Sequence, residues 1–215
     1  MKLATTEQMQ ELDRVAIVER GIPSLALMER AAAHVTDAVM EVVGERPEPV
    51  VNLVCGTGNN GGDGLACARQ LMQRGVTVRV YLVGDPAHQT GDSRVNTSRL
   101  LEAGGRLLPF RDEPLPPCDC LVDALFGVGL NREAGGIHRA AIERMNRQGA
   151  PIVACDIPSG IHGNTGAMMG AAVRAARTVT FSCGKPGLFT APGSDCAGTV
   201  SVADIGIPPD LLERL

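Results

Sequence analysis

The chain has 215 residues, 44% hydrophobic and 20% charged, a globular composition whose length suits one large domain with no need of disulfide or metal staples. Its 20 Lys and Arg against 24 Asp and Glu leave a net charge of −4 with no basic block, so no nucleic-acid or anionic-membrane surface is signalled. Trp is absent, and the aromatics (Tyr81, Phe110, Phe126, Phe181 and Phe189) are too few for a base-stacking platform.

The first 44 residues read as two helices. Thr5 or Thr6 can cap the first, which presents Met9, Leu12, Val15 and Ala16 on one side. Gly21-Ile22-Pro23 breaks it, and Ser24 can cap the second. There Leu25, Met28, Ala32, Val35, Val39 and Val42 step by three and four up to a stop at Gly44. From Pro49 the pattern changes to short apolar runs separated by helical stretches. Val50 to Cys55 is the first run, followed by a helix over 64–74 and a second run over 76–83. A polar helix over 92–103 precedes the run from Cys120 to Phe126, and a helix over 137–147 precedes the run from Ile152 to Ile157. Two more β-like pieces cover 177–183 and 199–205. Such alternation, with near-continuous apolar strands, predicts a mostly parallel sheet covered on both faces. The expected architecture is a Rossmann-like three-layer α/β/α sandwich spanning 1–215 as a single domain, with residues 1–44 as its helical extension.

Seven cysteines (Cys55, Cys67, Cys118, Cys120, Cys155, Cys183 and Cys196) form no C-x-x-C pair, and most sit in apolar runs. They read as small buried hydrophobes rather than as zinc ligands or disulfides. The opening residues lack an apolar signal-peptide core, and no stretch approaches about 18 uninterrupted apolar residues. A soluble, cytoplasmic protein is expected.

In open parallel sheets ligands bind where strands end. Three strand-end loops are rich in glycine and small polar groups. The first, Gly56-Thr57-Gly58-Asn59-Asn60-Gly61-Gly62-Asp63-Gly64, contains a G-x-G-x-x-G between a strand and a helix, suited to backbone N–H contact with a phosphate. No Lys-Ser/Thr follows, so it is not a Walker A loop, and the acidic residue of a dehydrogenase fingerprint is represented only by Asp85, which comes late and before Pro86. A plain β–α turn is the bland alternative, but it needs fewer special residues. The second loop places Asp123 within an apolar strand run ahead of Gly127-Val128-Gly129-Leu130-Asn131-Arg132-Glu133. The third is Asp156-Ile157-Pro158-Ser159-Gly160. Each aspartate could be a strand-end or turn residue only; converging in one cleft, they would suit a hard cation, proton transfer, or both. His34, His88, His138 and His162 are scattered and read as surface or capping residues. Lys185 follows a strand, either as a solvated turn lysine or as a reach toward the same cleft. No G-x-S-x-G elbow supports a hydrolase triad.

The stretches LDRVAIVERGIPSLALME, GTGNNGGDGLACARQL, VDALFGVGLNRE, VACDIPSGIHGNTG and KPGLFTAPG…GTVSVADIGIP together resemble the NAD(P)H-hydrate epimerases, the YjeF N-terminal-domain family, in order and over nearly the whole chain. The resemblance implies a Rossmann-like fold with an eight-stranded, mostly parallel sheet and assembly as a homodimer. It also implies interconversion of the R and S forms of hydrated NADH and NADPH, which carry water at carbon 6 of the nicotinamide ring. A separate dehydratase specific for the S form would then recover both epimers. Carried onto this chain, Asn59, Asn60, Gly61, Gly62 and Asp63, together with Gly127, Val128, Gly129, Leu130, Asn131, Arg132 and Glu133, would contact the hydrated dinucleotide, as would Asp156. Asn60, Asp123 and Ser159 would hold a potassium ion. Asp156 is the expected acid/base, with Asp123 second because the cation would occupy it. Arg30 and Ala32 stand where the family pattern has Asn and Gly, and Gln70 replaces a common His; Arg30 matters most if its helix borders the cleft. Little sequence follows Ile207-Pro208-Pro209, so the dehydratase often fused to this family is expected from another chain. A non-catalytic binding and dimerisation module of the same fold would show eroded loops or a basic groove. A dehydrogenase would need a second substrate domain, for which 215 residues leave little room.

Overall fold

The computed structural model describes residues 2–213. The opening helix α1 (Thr6–Arg14) starts at a reciprocal cap. Thr5 Oγ1 accepts from the Gln8 backbone N–H at 3.2 Å, and the Gln8 side chain accepts from the Thr5 N–H at 2.8 Å. One turn of π-helix (Val15–Glu19) continues it, and Met9, Leu12 and Ala16 point into the core. Helix α2 (Ser24–Val43) begins one residue earlier than the Ser24 cap would set: Pro23 is the N-cap and Ser24 makes no capping bond. The fixed φ of proline supplies the entry geometry that a side-chain cap would otherwise secure. Met28, Ala32, Val35 and Val39 form the middle of a wider apolar face that also buries Leu27, Ala31, Ala38 and Val43.

The remaining elements alternate. They are β1 (Val50–Cys55), α3 (Asn59–Gln73), β2 (Thr77–Leu82), α4 (Gly91–Glu102), β3 (Leu107–Pro109), β4 (Cys120–Ala124), α5 (Gly136–Arg147), β5 (Ile152–Cys155), β6 (Arg177–Phe181), the short α6 (Gly193–Ala197), β7 (Thr199–Ala203) and the short α7 (Pro209–Leu212). The strands form one fully parallel sheet in the order β3-β2-β1-β4-β5-β6-β7. Leu53 lies opposite Val80 on one side and Val122 on the other. Side chains alternate across a strand. Val51, Leu53, Cys55, Val122 and Val153 therefore pack under α2 and α3, while Val54 and Leu121 pack with Ile142 and Met145 of α5 on the opposite face. The helical N-terminal segment thus provides part of one covering layer.

The seven strands described are one fewer than the family resemblance implies. Past the end of β6, Lys2 and Ala4 exchange two backbone bonds with Gly184, but only Leu3 bridges to it. Two bonds hold the segment to the chain that leaves β6 without extending into a strand. Strand β3 escaped sequence reading because three half-exposed edge residues ending in proline carry no period.

From β1 the chain moves outward through β2 and β3, then returns to place β4 on the other side of β1. That reversal makes the carboxyl ends of β1 and β4 the switch point of the sheet, where open α/β proteins bind ligands.

Candidate active site

Glycines set the geometry at the end of β1. Helix α3 begins at Asn59, with Gly58 as N-cap, so residues predicted as loop form its first turn. A methyl group on Gly61 would lie 1.9 Å from the Gly56 carbonyl oxygen, and one on Gly64 would lie 2.4 Å from Ala124 Cβ. The helix therefore rests directly on the ends of β1 and β4. Residues without side chains carry no hydrophobic period, which is why the pattern placed the start at residue 64. As a result Asn59, Asn60 and Gly61 present first-turn N–H groups at a helix N-terminus, where an anion is stabilised.

Asp123 and Ser159, both wholly buried, meet at the switch point. Ser159 donates its hydroxyl to Asp123 Oδ1 at 2.6 Å and its N–H to Oδ2 at 2.7 Å, and the Leu125 N–H reaches Oδ1 at 3.3 Å. The Phe126 N–H donates to Ser159 Oγ at 2.9 Å. No cationic side chain touches this carboxylate among the described residues. Burial pushes the Asp123 carboxyl up to about 6, against the hydrogen bonds from Ser159 and Leu125 that pull it down.

Asp156 sits at the end of β5 with φ 65, and the Ile157 N–H reaches the Cys155 carbonyl across it at 2.8 Å. This has the hydrogen bond and φ sign of a γ-turn, a strained conformation that persists where its surroundings enforce it. The enforcement comes from Lys185, only 1% exposed, whose Nζ donates to Asp156 Oδ1 at 2.5 Å and to Thr180 Oγ1 and the Phe181 carbonyl at 2.9 Å each. All three ammonium protons are therefore used. Lys185 is the buried lysine of the two readings, not a solvated turn residue.

The other Asp156 oxygen faces the glycine turn. A methyl group on Gly127 would lie 3.3 Å from Asp156 Oδ2 and 3.2 Å from Asn60 Oδ1, so three loops meet around the bare Cα of Gly127. The Asn60 amide is buried at both Oδ1 and Nδ2, and neither atom has a partner among the described residues. Buried amides are almost always hydrogen-bonded, and an orphan of this kind asks for a ligand.

A cavity of about 110 Å³ opens beside Asp156. Asn59, Asp63, Val128, Asp156 and Lys185 line it on the sheet side, together with Phe181 and Ile205. Its other wall is helical and escaped the site prediction: Met9, Asp13 and Ile17 come from the first helical segment, Ser24, Leu27, Met28 and Ala31 from α2, and Asp92 from α4. Asp63 is pushed well above the usual carboxylate range, first by burial and then by the charges of Asp156, Asp13 and Asp92, which favours its neutral form. A volume this small takes one ring-sized group, since drug-sized ligands occupy roughly 300–1,000 Å³.

Of the remaining predicted contacts, Gly61 and Gly62 are buried under the helix start and Gly127 stands between the two polar tips. Gly129, Leu130, Asn131, Arg132 and Glu133 continue outward from Val128 without lining the cavity, and all of them except Leu130 are exposed. Arg30 turns away, donating to the Ile205 carbonyl at 3.3 Å and packing over Gly206. Gln70 joins Glu29 and Thr36 behind α2, also away from the cavity. His34 bonds the Asp204 carbonyl, His162 Nδ1 accepts from two turn amides, and His138 stacks on Phe126. Six of the seven cysteines are buried and Cys118 is half-buried.

Sheet order, helix-first glycine turn and the strand-end loops define an α/β protein of Rossmann-like class with a polar cavity at the carboxyl ends of its strands. Residues 24–187 match the family model described as YjeF-related protein N-terminus. The chain is 42% identical to an NAD(P)H-hydrate epimerase of Limosilactobacillus fermentum, over 93% of this chain and 95% of that protein. It is 39% identical to the bifunctional NAD(P)H-hydrate repair enzyme Nnr of Moorella thermoacetica, over 99% of this chain but 42% of that protein. It therefore spans about two fifths of the length of the bifunctional relatives it matches. The crystal structure of yeast ynu0, YNL200c, superposes with a TM-score of 0.85 at 23% identity, covering 100% of this chain and 93% of that one, which establishes the shared fold. The chain belongs to the YjeF-related N-terminal family.

Proposed function

We propose that this protein is an NAD(P)H-hydrate epimerase that interconverts the R and S forms of hydrated NADH and NADPH. The observation that carries the reading is the meeting of Asn60 and Asp156 at Gly127, next to the Asp123–Ser159 pair that holds Phe126 and beside a ring-sized cavity, in a chain about 40% identical over most of its length to relatives bearing that name. The reading extends to a cytoplasmic homodimer that passes the S epimer to a dehydratase, the second activity suggested by the bifunctional name of other relatives.

The dinucleotide phosphates would lie on the first-turn amides of α3, with the hydrated nicotinamide ring in the cavity. Epimerisation then requires the carbon 6 hydroxyl to leave and return. The C–O bond breaks as the ring-nitrogen lone pair forms an iminium-like C=N bond, the departing hydroxyl takes a proton, and water re-adds while giving one up. Asp156 lines the cavity and is the acid/base in this reading, whereas Asp123 is engaged by Ser159 and lies outside the lining. A cavity with four carboxyl groups (Asp13, Asp63, Asp92 and Asp156) against Lys185 favours a positive ring in the transition state. A coupled assay tests the activity. The protein is mixed with hydrated NADH and a separate S-specific dehydratase, and NADH recovery is followed. The slow, R-derived phase is expected to accelerate in proportion to protein concentration. A slow phase that ignores folded protein would favour the binding-module alternative.

Potassium belongs to the same reading. The donor set fits a monovalent cation. Among the described residues, Asn60 offers an unpartnered carbonyl oxygen, Ser159 a hydroxyl, and Asp123 a buried carboxylate with no positive neighbour. Its chemistry when bound would be to neutralise Asp123 and fix the three loops, without redox work. The expected consequence is stabilisation by potassium chloride relative to tetramethylammonium chloride at equal ionic strength. At a hundredfold excess over Kd the gain is about 2.7 kcal/mol. Denaturant midpoints in the two salts measure it, and Asp123→Asn should remove the difference. Equal midpoints for the unsubstituted chain would exclude a potassium site here.

A further inference from the structure

We propose that Asp13, on the helical wall of the cavity, is a second proton-transfer residue that works opposite Asp156; the proposal rests on the epimerase reading above.

Two observations place Asp13 there. It lines the same cavity as Asp156 and Lys185 but comes from α1, while the latter two come from the sheet edge, so the pair approaches a bound group from different elements. It makes no hydrogen bond to any described residue, unlike every charged group facing it from the sheet side of the cavity except Asp63. The carboxyl is thus left free for a ligand. Its helix is fixed by Met9 and Leu12 in the core, which keeps the residue in place without using its polar atoms.

The chemistry explains why a second group is needed. Inversion at carbon 6 passes through a planar iminium-like centre, with hydroxyl leaving from one face and water arriving at the other. One carboxylic acid protonates the departing hydroxyl as the C–O bond breaks. A carboxylate on the opposite face takes the proton from the incoming water as the new C–O bond forms. One proton leaves the first group, one arrives at the second, and no atoms or electrons are gained or lost. Burial, and next the charge of Asp156, push the Asp13 carboxyl up to about 6, with Lys185 pulling the other way. Asp63 of α3 and Asp92 of α4 also face the cavity, and both add negative charge when ionised. A carboxyl poised there holds a proton in weakly acidic solution and loses it as pH rises, so acid catalysis by Asp13 weakens through about pH 6.

The test compares the unsubstituted chain, Asp13→Asn and Asp13→Glu in the coupled assay from pH 5 to 8, with calorimetric binding of hydrated NADH and thermal melts alongside. Asp13→Asn is expected to lose about 100-fold or more in turnover with binding changed less than about threefold. The fall in kcat/KM through about pH 6 should vanish with it. Asp13→Glu, which keeps a carboxylic acid, should retain turnover within about tenfold of the unsubstituted chain. Asn-variant turnover within about threefold of the unsubstituted rate, at an unchanged pH profile, would overturn the proposal. So would equal losses in the Asn and Glu variants, which would make the effect one of packing. If the unsubstituted chain does not epimerise, the epimerase reading fails first and Asp13 falls with it; if it does, only the Asp13 assignment is at stake.

Discussion

Asp156→Asn is expected to lower epimerisation turnover by about 10²–10⁴-fold while the chain still folds. The substitution keeps size and shape, and asparagine tolerates the left-handed φ of 65 found at this position. Its amide oxygen can still accept from Lys185 Nζ, Thr180 Oγ1 and the Phe181 N–H, the three donors that now hold Asp156 Oδ1. What it cannot do is exchange a proton with substrate. The loss therefore belongs in kcat, and hydrated-NADH binding should change little. Turnover is to be measured well below the variant's melting midpoint, because the Lys185 ammonium loses its formal counter-charge. Turnover within about threefold of the unsubstituted chain would remove Asp156 from the chemistry.

Lys185→Met should cost about 3–5 kcal/mol of stability, the range for breaking one side of a buried ion pair. Lys185 is 1% exposed and Asp156 6% exposed, so solvent does not screen the pair. Methionine matches the length of the lysine stem but donates nothing, so Thr180 Oγ1 loses its donor, Asp156 Oδ1 keeps only the Thr180 hydroxyl and the Phe181 N–H, and the Phe181 carbonyl keeps only the Cys183 N–H. It also removes the positive charge that faces Asp13 and Asp156. The double variant Lys185→Met, Asp156→Asn removes both charges and is expected to lie closer to the unsubstituted chain than Lys185→Met alone. Urea unfolding of the four proteins in this cycle gives the coupling directly. A loss below about 1 kcal/mol for Lys185→Met would show that the pair is solvated.

Much of the site could be read before the fold was known, for identifiable reasons. Asp123 and Asp156 stand out because a carboxylate inside an apolar strand run must find partners, and both did: Ser159 for the first, Lys185 for the second. The glycines after β1 read in the sequence as a loop able to bring N–H groups to a phosphate; in the fold they also let Gly61 pack directly against the Gly56 carbonyl. Other features were invisible for equally physical reasons. The start of α3 lies among residues with no side chain to make a period. Lys185 is ambiguous in the sequence, which shows that a lysine follows a strand but not which way its stem turns.

Local pattern determined the alternation of strands and helices, the parallel class of the sheet and the three loops at the strand ends, since each of these depends on neighbours within a few residues. Tertiary structure alone decided what stands across the cavity from those loops. Asp13, Leu27 and Met28 share a cavity with Asp156 only because α2 packs against β4, β5 and β6 and the first helical segment lies beside it, which brings together residues more than a hundred positions apart. Whether a carboxyl group there is paired, orphaned or pushed toward its neutral form depends on burial and on charges delivered by separate elements, a property that no segment of the chain carries by itself.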